Sequence, residues 1–187
     1  MEPCADPDWN LSAIGMPIEV DLGCARGHFL EAMARLYPNR FFLGVERLKL
    51  RYEKTIRRVA SLENAMAWQV DSRQAVKSLL PKARIDTIHI SFPDPWPKRR
   101  HHNRRLISPA FLQECAQLLN SSGRLRLMTD HSGYFSVMRA AAWVCNELTE
   151  VEWDHREEYP MTEFQKRFAL SGVMVYCLAL KKVRHSF

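Results

Sequence analysis

Residues 18–27 read IEVDLGCARG, a mostly apolar stretch that runs into an acidic residue and a loop with two glycines. Residues 18–22 favour a β-strand that ends in a glycine turn at residues 23–27, and apolar side chains recur at helical spacing after Gly27. Glycine lets the backbone turn sharply and approach a ligand closely. The stretch therefore predicts a strand, a binding loop and a helix in succession.

Short apolar runs alternate with helix-period segments along the rest of the chain, which predicts an α/β fold. Strands are expected at residues 18–22, 41–45, 65–70, 85–92, 125–128, 149–153 and 173–180, and further helices at residues 50–60, 72–80, 108–119 and 135–145. The last two strands have no convincing helical pattern between them and should pair antiparallel. We predict a doubly wound, mostly parallel seven-stranded sheet with a C-terminal antiparallel hairpin, in one domain over residues 1–187.

Composition places the chain among ordinary globular proteins. Its 187 residues are 47% hydrophobic and 26% charged, which excludes disordered and collagen-like classes. Five scattered cysteines without a C-x-x-C pair predict reduced thiols and no metal site. The N-terminus lacks a signal-peptide pattern, and no apolar run is long enough to span a membrane. We expect a cytoplasmic protein with no membrane partner, either monomer or homodimer.

Positive charge is concentrated in one stretch of sequence. Residues 98–105, KRRHHNRR, hold five Lys and Arg, so the other 179 residues contribute only +1 to the net charge of +6. Such a run is either a solvated surface or a nucleic-acid contact. Because it directly follows an acid at a predicted strand end, we favour a surface that binds RNA phosphates.

Acidic residues close four predicted parallel strands: Asp21, Glu46, Asp71 and Asp94. Each alone could cap a helix, but the carboxyl ends of such strands meet at one ligand-binding edge. The loop spacing is not G-x-G-x-x-G, and the chain has no P-loop motif. Glu46, the acid 25 residues after Asp21, is placed to accept hydrogen bonds from both hydroxyls of a ribose. A cofactor with a single nucleoside therefore fits best.

Several motifs resemble the tRNA (guanine-N7-)-methyltransferase family. They are DLGCARG at residues 21–27, GVE at residues 44–46 and FPDPWPKRRHHNRRL at residues 92–106. MTD at residues 128–130 and TEFQKR at residues 162–167 resemble further family blocks in the expected order. The resemblance covers nearly the whole chain and implies a Rossmann-like methyltransferase fold, S-adenosylmethionine as cofactor and tRNA as substrate.

The resemblance also implies residue roles. Asp21, Gly23 and Gly27 would hold the methionine end of the cofactor. Glu46 would bind its ribose and Asp71 its adenine amino group, while Asp94 would be the carboxylate of the catalytic site, in contact with guanine or cofactor. Substrate-binding positions are implied for Lys98, Asp130, Thr162, Glu163, Phe164 and Gln165. Contacts with RNA are implied for Arg100, His101, His102, Asn103, Arg104 and Arg105.

Two positions depart from the family pattern. Ala25 replaces a glycine of the loop, and Gln165 stands where the family has glutamate, a guanine contact. Residues 93–96, PDPW, also resemble the D/N-P-P-aromatic motif of exocyclic-amino methyltransferases. That activity and a catalytically inactive tRNA-binding module are the alternative functions. His28 and His89 are expected to cap or pack rather than to catalyse.

Overall fold

The computed structural model describes residues 10–153 and 159–183. Its strands are β1 (Ile18–Leu22), β2 (Phe41–Val45), β3 (Ala65–Trp68), β4 (Ile85–Ser91), β5 (Leu119–Thr129), β6 (Leu148–Val151) and β7 (Tyr176–Lys182). Its α-helices are α1 (His28–Leu36), α2 (Lys49–Val59), α3 (Ser72–Gln74), α4 (Pro109–Leu118), α5 (Ser132–Trp143) and α6 (Glu163–Leu170). A π-helical segment (Ala75–Leu79) continues α3, and 3-10 helices cover Leu11–Ala13 and Arg99–Arg104. No helix among the described residues is both long and apolar enough to cross a membrane.

The strands form one sheet in the order β3-β2-β1-β4-β5-β7-β6. β1 to β5 are parallel to one another, whereas β7 pairs antiparallel with both β5 and β6. This confirms the predicted mixed sheet and its antiparallel C-terminal strands. The strand order reverses between β1 and β4, so a crevice forms beyond their carboxyl ends.

Apolar side chains fill both faces of the sheet. One core lies beneath α1 and α2 and includes Phe29, Leu30 and Phe42. The larger core lies on the other face, where Val20 of β1 and Ile88 of β4 are fully buried. All five residues of β1 and all five of β2 are buried, as parallel strands covered by helices on both faces should be.

The charged side chain of Glu19 lies inside this apolar framework. Glu19 of β1 is only 1% exposed and accepts hydrogen bonds from Arg40 Nη1 at 2.6 Å and from His89 Nε2 at 2.7 Å. Burial alone would raise the pKa of Glu19, but these donors hold that pKa below its ordinary value. His89 is therefore a packed core residue, as expected, and it fixes β4 beside β1.

The sequence prediction is wrong between the last two strands, where the structure contains helix α6. Thr162 and Gln165 form a capping box at its start, with Thr162 Oγ1 accepting from the Gln165 N–H at 3.1 Å. This T-x-x-Q signature was present in the sequence. The helix has only eight residues, and Phe164 and Phe168 are its one apolar pair at i, i+4 spacing, so its apolar pattern is too short to be recognised as helical.

Gly44 in β2 provides a test of the packing between sheet and loop. A Cβ added there would lie 2.7 Å from Cys24 Sγ and 2.8 Å from Leu30 Cδ2. We expect Gly44→Ala to lower the free energy of unfolding by about 1–3 kcal/mol in urea titrations, because the core would be overpacked. Gly15→Ala is the control, since no atom lies within 4 Å of its added Cβ. Equal stabilities of the two variants would contradict the packing described here.

Candidate active site

The loop between β1 and α1 is shaped by its two glycines. Gly23 and Gly27 have φ angles of +89° and +73°, a region that favours glycine. A Cβ at Gly27 would lie 2.7 Å from Thr55 Cγ2, so α2 packs directly against the loop. The N–H groups of Gly23 and Cys24 both donate to the Val45 carbonyl, at 2.8 and 3.0 Å. The loop is therefore fixed to both β2 and α2.

Glu46 holds the other side of this loop. It is 5% exposed, and its two carboxylate oxygens accept from different backbone segments. Oε2 accepts from the Ala25 N–H at 3.1 Å, and Oε1 accepts from the Leu48 N–H at 2.8 Å. Ala25 adopts a left-handed φ of +52°, the conformation for which the family's glycine is suited. Glu46 thus joins the loop to the start of α2.

Two cavities lie beyond the strand ends. The loop cavity, of about 460 Å³, is lined by Asp21, the glycine loop, Phe29 and residues of α6. The acid cavity, of about 430 Å³, is lined by Glu46, Asp71 and Asp94 together with neighbouring basic and aromatic residues. Both cavities include Gly23, Arg51, Ser91 and Phe92, so they form one continuous cleft. Its size is in the range of small-molecule sites.

Asp21 lies at the floor of the loop cavity and is 6% exposed. Burial raises its pKa to about 6; nearby His89 lowers the pKa, and the Glu46 carboxylate raises it. No described side chain donates a hydrogen bond to this carboxylate. A cationic ligand group in the loop cavity would therefore stabilise its charged form.

Asp71 and Asp94 are both exposed in the acid cavity but differ in their contacts. Asp71 caps α3 by accepting from the Arg73 N–H at 2.9 Å, so it serves as a helix cap and also lines the cavity. Asp94 stands between Pro93 and Pro95, and no described group hydrogen-bonds to its side chain. Among the described residues, no cluster of three potential metal ligands occurs. These carboxylates are arranged to accept hydrogen bonds from a polar ligand.

Residues 98–105, which we call the basic segment, are held in part by contacts with the rest of the fold. Arg105 is only 9% exposed; its Nε donates to the Pro95 carbonyl at 2.8 Å, and its guanidinium lies 5.1 Å from the Tyr134 ring centroid. The Trp96 ring meets the His101 ring edge to face, and the Arg104 guanidinium carbon lies 5.0 Å from the Trp96 ring centroid. Arg105 and Trp96 thus hold the segment, which exposes Lys98, Arg99, Arg100, His102, Asn103 and Arg104.

The predicted substrate positions fall into two groups. Thr162, Glu163 and Phe164 line the loop cavity. The Gln165 side chain instead turns back, accepting from the Thr162 N–H at 2.9 Å. Two further residues, Lys98 and Asp130, are exposed and line neither cavity. The structure thus brings the α6 residues to the cleft, whereas the substrate roles of the other three positions stay predictions.

Sequence reasoning did not identify several residues of the cleft. Phe92 has a left-handed φ of +54° and packs against Phe164 and Phe168 of α6, with centroids 5.6 and 5.2 Å away. Arg51, one turn into α2, lines both cavities. The position of Arg51 shortly after Glu46, the acid at the end of β2, was the one feature of the sequence that could have identified it. The left-handed conformation of Phe92 had no sequence signal, because a phenylalanine is not a residue type that favours positive φ.

Comparison with known proteins agrees with this geometry. The sequence profile of a family described as "Putative methyltransferase" matches residues 15–178. The tRNA (guanine-N(7)-)-methyltransferase of Mycoplasma pneumoniae is 34% identical over 176 residues, covering 88% of this chain and 83% of the relative. The chain belongs to the tRNA (guanine-N7-)-methyltransferase family. This confirms the family resemblance found in the sequence motifs.

Two further similarities concern length and fold. The enzyme of the same name from Aquifex aeolicus is 32% identical over 89% of this chain, which spans 57% of that relative's length. A geranyl diphosphate C-methyltransferase from Streptomyces coelicolor, crystallised with S-adenosyl-L-homocysteine, has a TM-score of 0.61 at 14% identity. The match covers 92% of this chain and 76% of that one. This neighbour supports the fold assignment.

The raised pKa of Asp21 should make the stability of the fold depend on pH. A carboxyl whose pKa is raised on folding binds its proton more tightly in the folded state than in the unfolded state. The free energy of unfolding therefore falls as the pH rises from about 4 to about 6, and it stays low above that range. Asp21→Asn removes this effect. We expect the variant to exceed the wild type in free energy of unfolding by about 3 kcal/mol at pH 7.5 and by only about 1 kcal/mol at pH 4.5. A pH-independent difference in urea titrations would exclude a raised Asp21 pKa.

Proposed function

We propose that the protein transfers a methyl group from S-adenosylmethionine to N7 of a guanine in tRNA. The observation that carries this proposal is the single cleft in which the glycine loop and three acids meet Asp94 and the basic segment. Membership of the family supports the same reaction. The name of the relatives specifies tRNA and the guanine N7 atom, and we extend both to this chain.

The residues of the cleft fit S-adenosylmethionine. Asp21 lies in the loop cavity as a buried carboxylate to which no described side chain donates, which suits the ammonium of the methionine end. Gly23 and Gly27 allow close backbone approach there. Glu46 presents a fixed carboxylate to the ribose hydroxyls, and Asp71 lies beside it for the adenine amino group. Bound S-adenosylmethionine supplies a methyl group on a positively charged sulfur.

The reaction at guanine requires little acid–base chemistry. N7 carries a lone pair and no proton, so no side chain has to act as a general base before attack on the methyl carbon. The protein instead has to place N7 in line with the methyl group while excluding other orientations. Phe92 lines both cavities and packs against Phe164, which lines the loop cavity, so the two rings limit where a planar base can lie.

Asp94 is the group that we assign to guanine. Its carboxylate is free of described partners and borders the acid cavity. It can accept hydrogen bonds from the N1–H and the 2-amino group, which orients the base. Methylation makes the purine cationic, so a nearby negative charge stabilises the transition state more than the ground state.

The proposed substrate also accounts for the basic segment. Exposed cations at residues 98–104 border the acid cavity through Arg104, where phosphates on either side of a bound guanine would pass. The named relatives are bacterial enzymes, and bacterial tRNA lies in the cytoplasm, so we place the reaction there.

The proposal is tested by incubating bulk tRNA with the protein and methyl-labelled S-adenosylmethionine and mapping the modified base. Label on an exocyclic amino group would reject it, and binding of cofactor without transfer would favour the inactive module.

Asp94→Ala gives a direct test of the catalytic assignment. We expect methyl transfer to fall by about 10²–10³-fold, the usual loss for a group that stabilises transition-state charge, because orientation and charge stabilisation are both removed. Cofactor affinity in calorimetry and the unfolding midpoint should stay close to wild type, because Asp94 is exposed. Glu63→Ala, an exposed acid outside both cavities, is the control. Near wild-type transfer by Asp94→Ala would make Asp94 a turn residue.

The basic segment predicts a salt-dependent affinity for tRNA. Each phosphate that the protein no longer neutralises should reduce the slope of log affinity against log salt by about 0.7–0.9. We therefore expect Arg99→Gln with Arg100→Gln to lower the slope by about 1.4–1.8, since both side chains are exposed. Lys77→Gln with Lys82→Gln removes the same charge outside the cleft and should leave the slope unchanged. Equal slopes for all three proteins would make the segment a solvated surface.

A further inference from the structure

A second basic stretch lies in α2 and the residues that precede it. Residues 47–58, RLKLRYEKTIRR, hold six Lys and Arg and one Glu, a net charge of +5. Together with the +5 of residues 98–105, this exceeds the +6 of the whole chain, so the remaining 167 residues are net −4. The expectation that basicity is confined to residues 98–105 is therefore wrong, because acidic residues elsewhere mask the second stretch in the total.

Most of these cations are exposed and unpaired. Arg47, Lys49, Arg51, Lys54 and Arg57 are all exposed, and we refer to them as the α2 basic face. Within residues 10–153 and 159–183, none of the five forms an ion pair. Arg58 differs, because it pairs with Glu31 at 2.8 Å. The α2 basic face is thus available to an anionic partner from outside the chain.

Two of these cations, Lys49 and Arg51, lie in the first turn of α2, where they oppose its stability, whereas Arg57 lies in the last turn, where the macrodipole favours a cation. The helix N-terminus carries the positive end of the macrodipole and is stabilised by acidic residues or a polar cap. Here the cap residue is Leu48, which makes no side-chain cap hydrogen bond, and the first turn contains no acid but does contain Lys49 and Arg51. Lys54 and Arg57, three residues apart, add like-charge repulsion. An anion placed at this surface would relieve both effects.

The position of the α2 basic face relates it to the cleft. α2 begins just after β2, so its first turn lies at the carboxyl edge of the sheet, beside Glu46. Arg47 and Arg51 line the acid cavity, as do Trp96 and, from the basic segment, Arg104. Cations from two separate elements therefore border one cavity, and a chain of phosphates that enters it meets both.

We propose that the α2 basic face binds phosphates of the RNA that carries the target guanine, as a second contact surface beside residues 98–105. This inference rests on the proposed function. Lys49, Lys54 and Arg57 line neither cavity, so a cofactor held in the cleft does not account for them. The partner has to carry repeated negative charge and extend from the cleft along about 12 Å of helix, the rise from Lys49 to Arg57. An RNA backbone has both properties.

The test is a salt titration of tRNA binding by Lys49→Gln with Lys54→Gln. We expect the slope of log affinity against log salt to fall by about 1.4–1.8, with cofactor affinity unchanged in calorimetry. Lys77→Gln with Lys82→Gln is the matched control, because it removes two exposed lysines that line neither cavity. The thermal midpoint of the test variant should not fall, since a cation is removed from the helix N-terminus.

A second variant keeps the proposal open to refutation if the first is destabilised. Lys54→Glu leaves the first turn of α2 intact, and its reversed charge should weaken tRNA binding more than the Lys54→Gln change alone. A wild-type salt slope in both test variants, with tRNA binding and methyl transfer intact in the parent protein, would overturn this inference alone. A parent protein that neither binds tRNA nor methylates guanine would overturn the proposed function itself.

Discussion

The Glu46 carboxylate joins the two segments on which the cleft depends. One oxygen accepts from the Ala25 N–H in the glycine loop, and the other accepts from the Leu48 N–H at the start of α2. Because Glu46 is buried at the end of β2, the sheet fixes the positions of both segments relative to each other. The loop cavity, the acid cavity and the cationic first turn of α2 thus share one anchor. Loss of this carboxylate would disturb all three.

The site contains several arrangements that oppose stability. Asp21 is a buried carboxyl to which no described side chain donates, Ala25 and Phe92 hold left-handed backbone conformations, and α2 begins with cations and no polar cap. In contrast, the strands of the core are apolar and buried, and the charged Glu19 accepts from Arg40 and His89. Several local conflicts gathered in one cleft are typical of functional sites.

The sequence predicted the elements and their carboxyl-end acids well, because both follow from local patterns. β2 was placed at residues 41–45, as observed, and Asp71 and Asp94 meet Glu46 in one cavity because parallel strands end at one edge. Roles that depend on distant contacts were not predictable. Arg105 bonds inward to the Pro95 carbonyl, which requires knowledge of which residues lie opposite in the fold. Two other features were local and could have been predicted: the T-x-x-Q cap that Gln165 completes, and the charge of residues 47–58, which a count of that stretch gives directly.

The layout of charge around the cleft bears on how a guanine would reach Asp94. N7 lies on the major-groove edge of the base, and the major groove of an A-form RNA helix is too deep and narrow for side chains to enter. Under the proposed function, the cleft therefore receives a guanine that has left its stack. Such a base draws its neighbouring phosphates to the mouth of the cleft, on both sides. Cations lie there on two elements, with Arg51 on α2 and Arg104 after β4, so the charge distribution fits an unstacked nucleotide held from both sides.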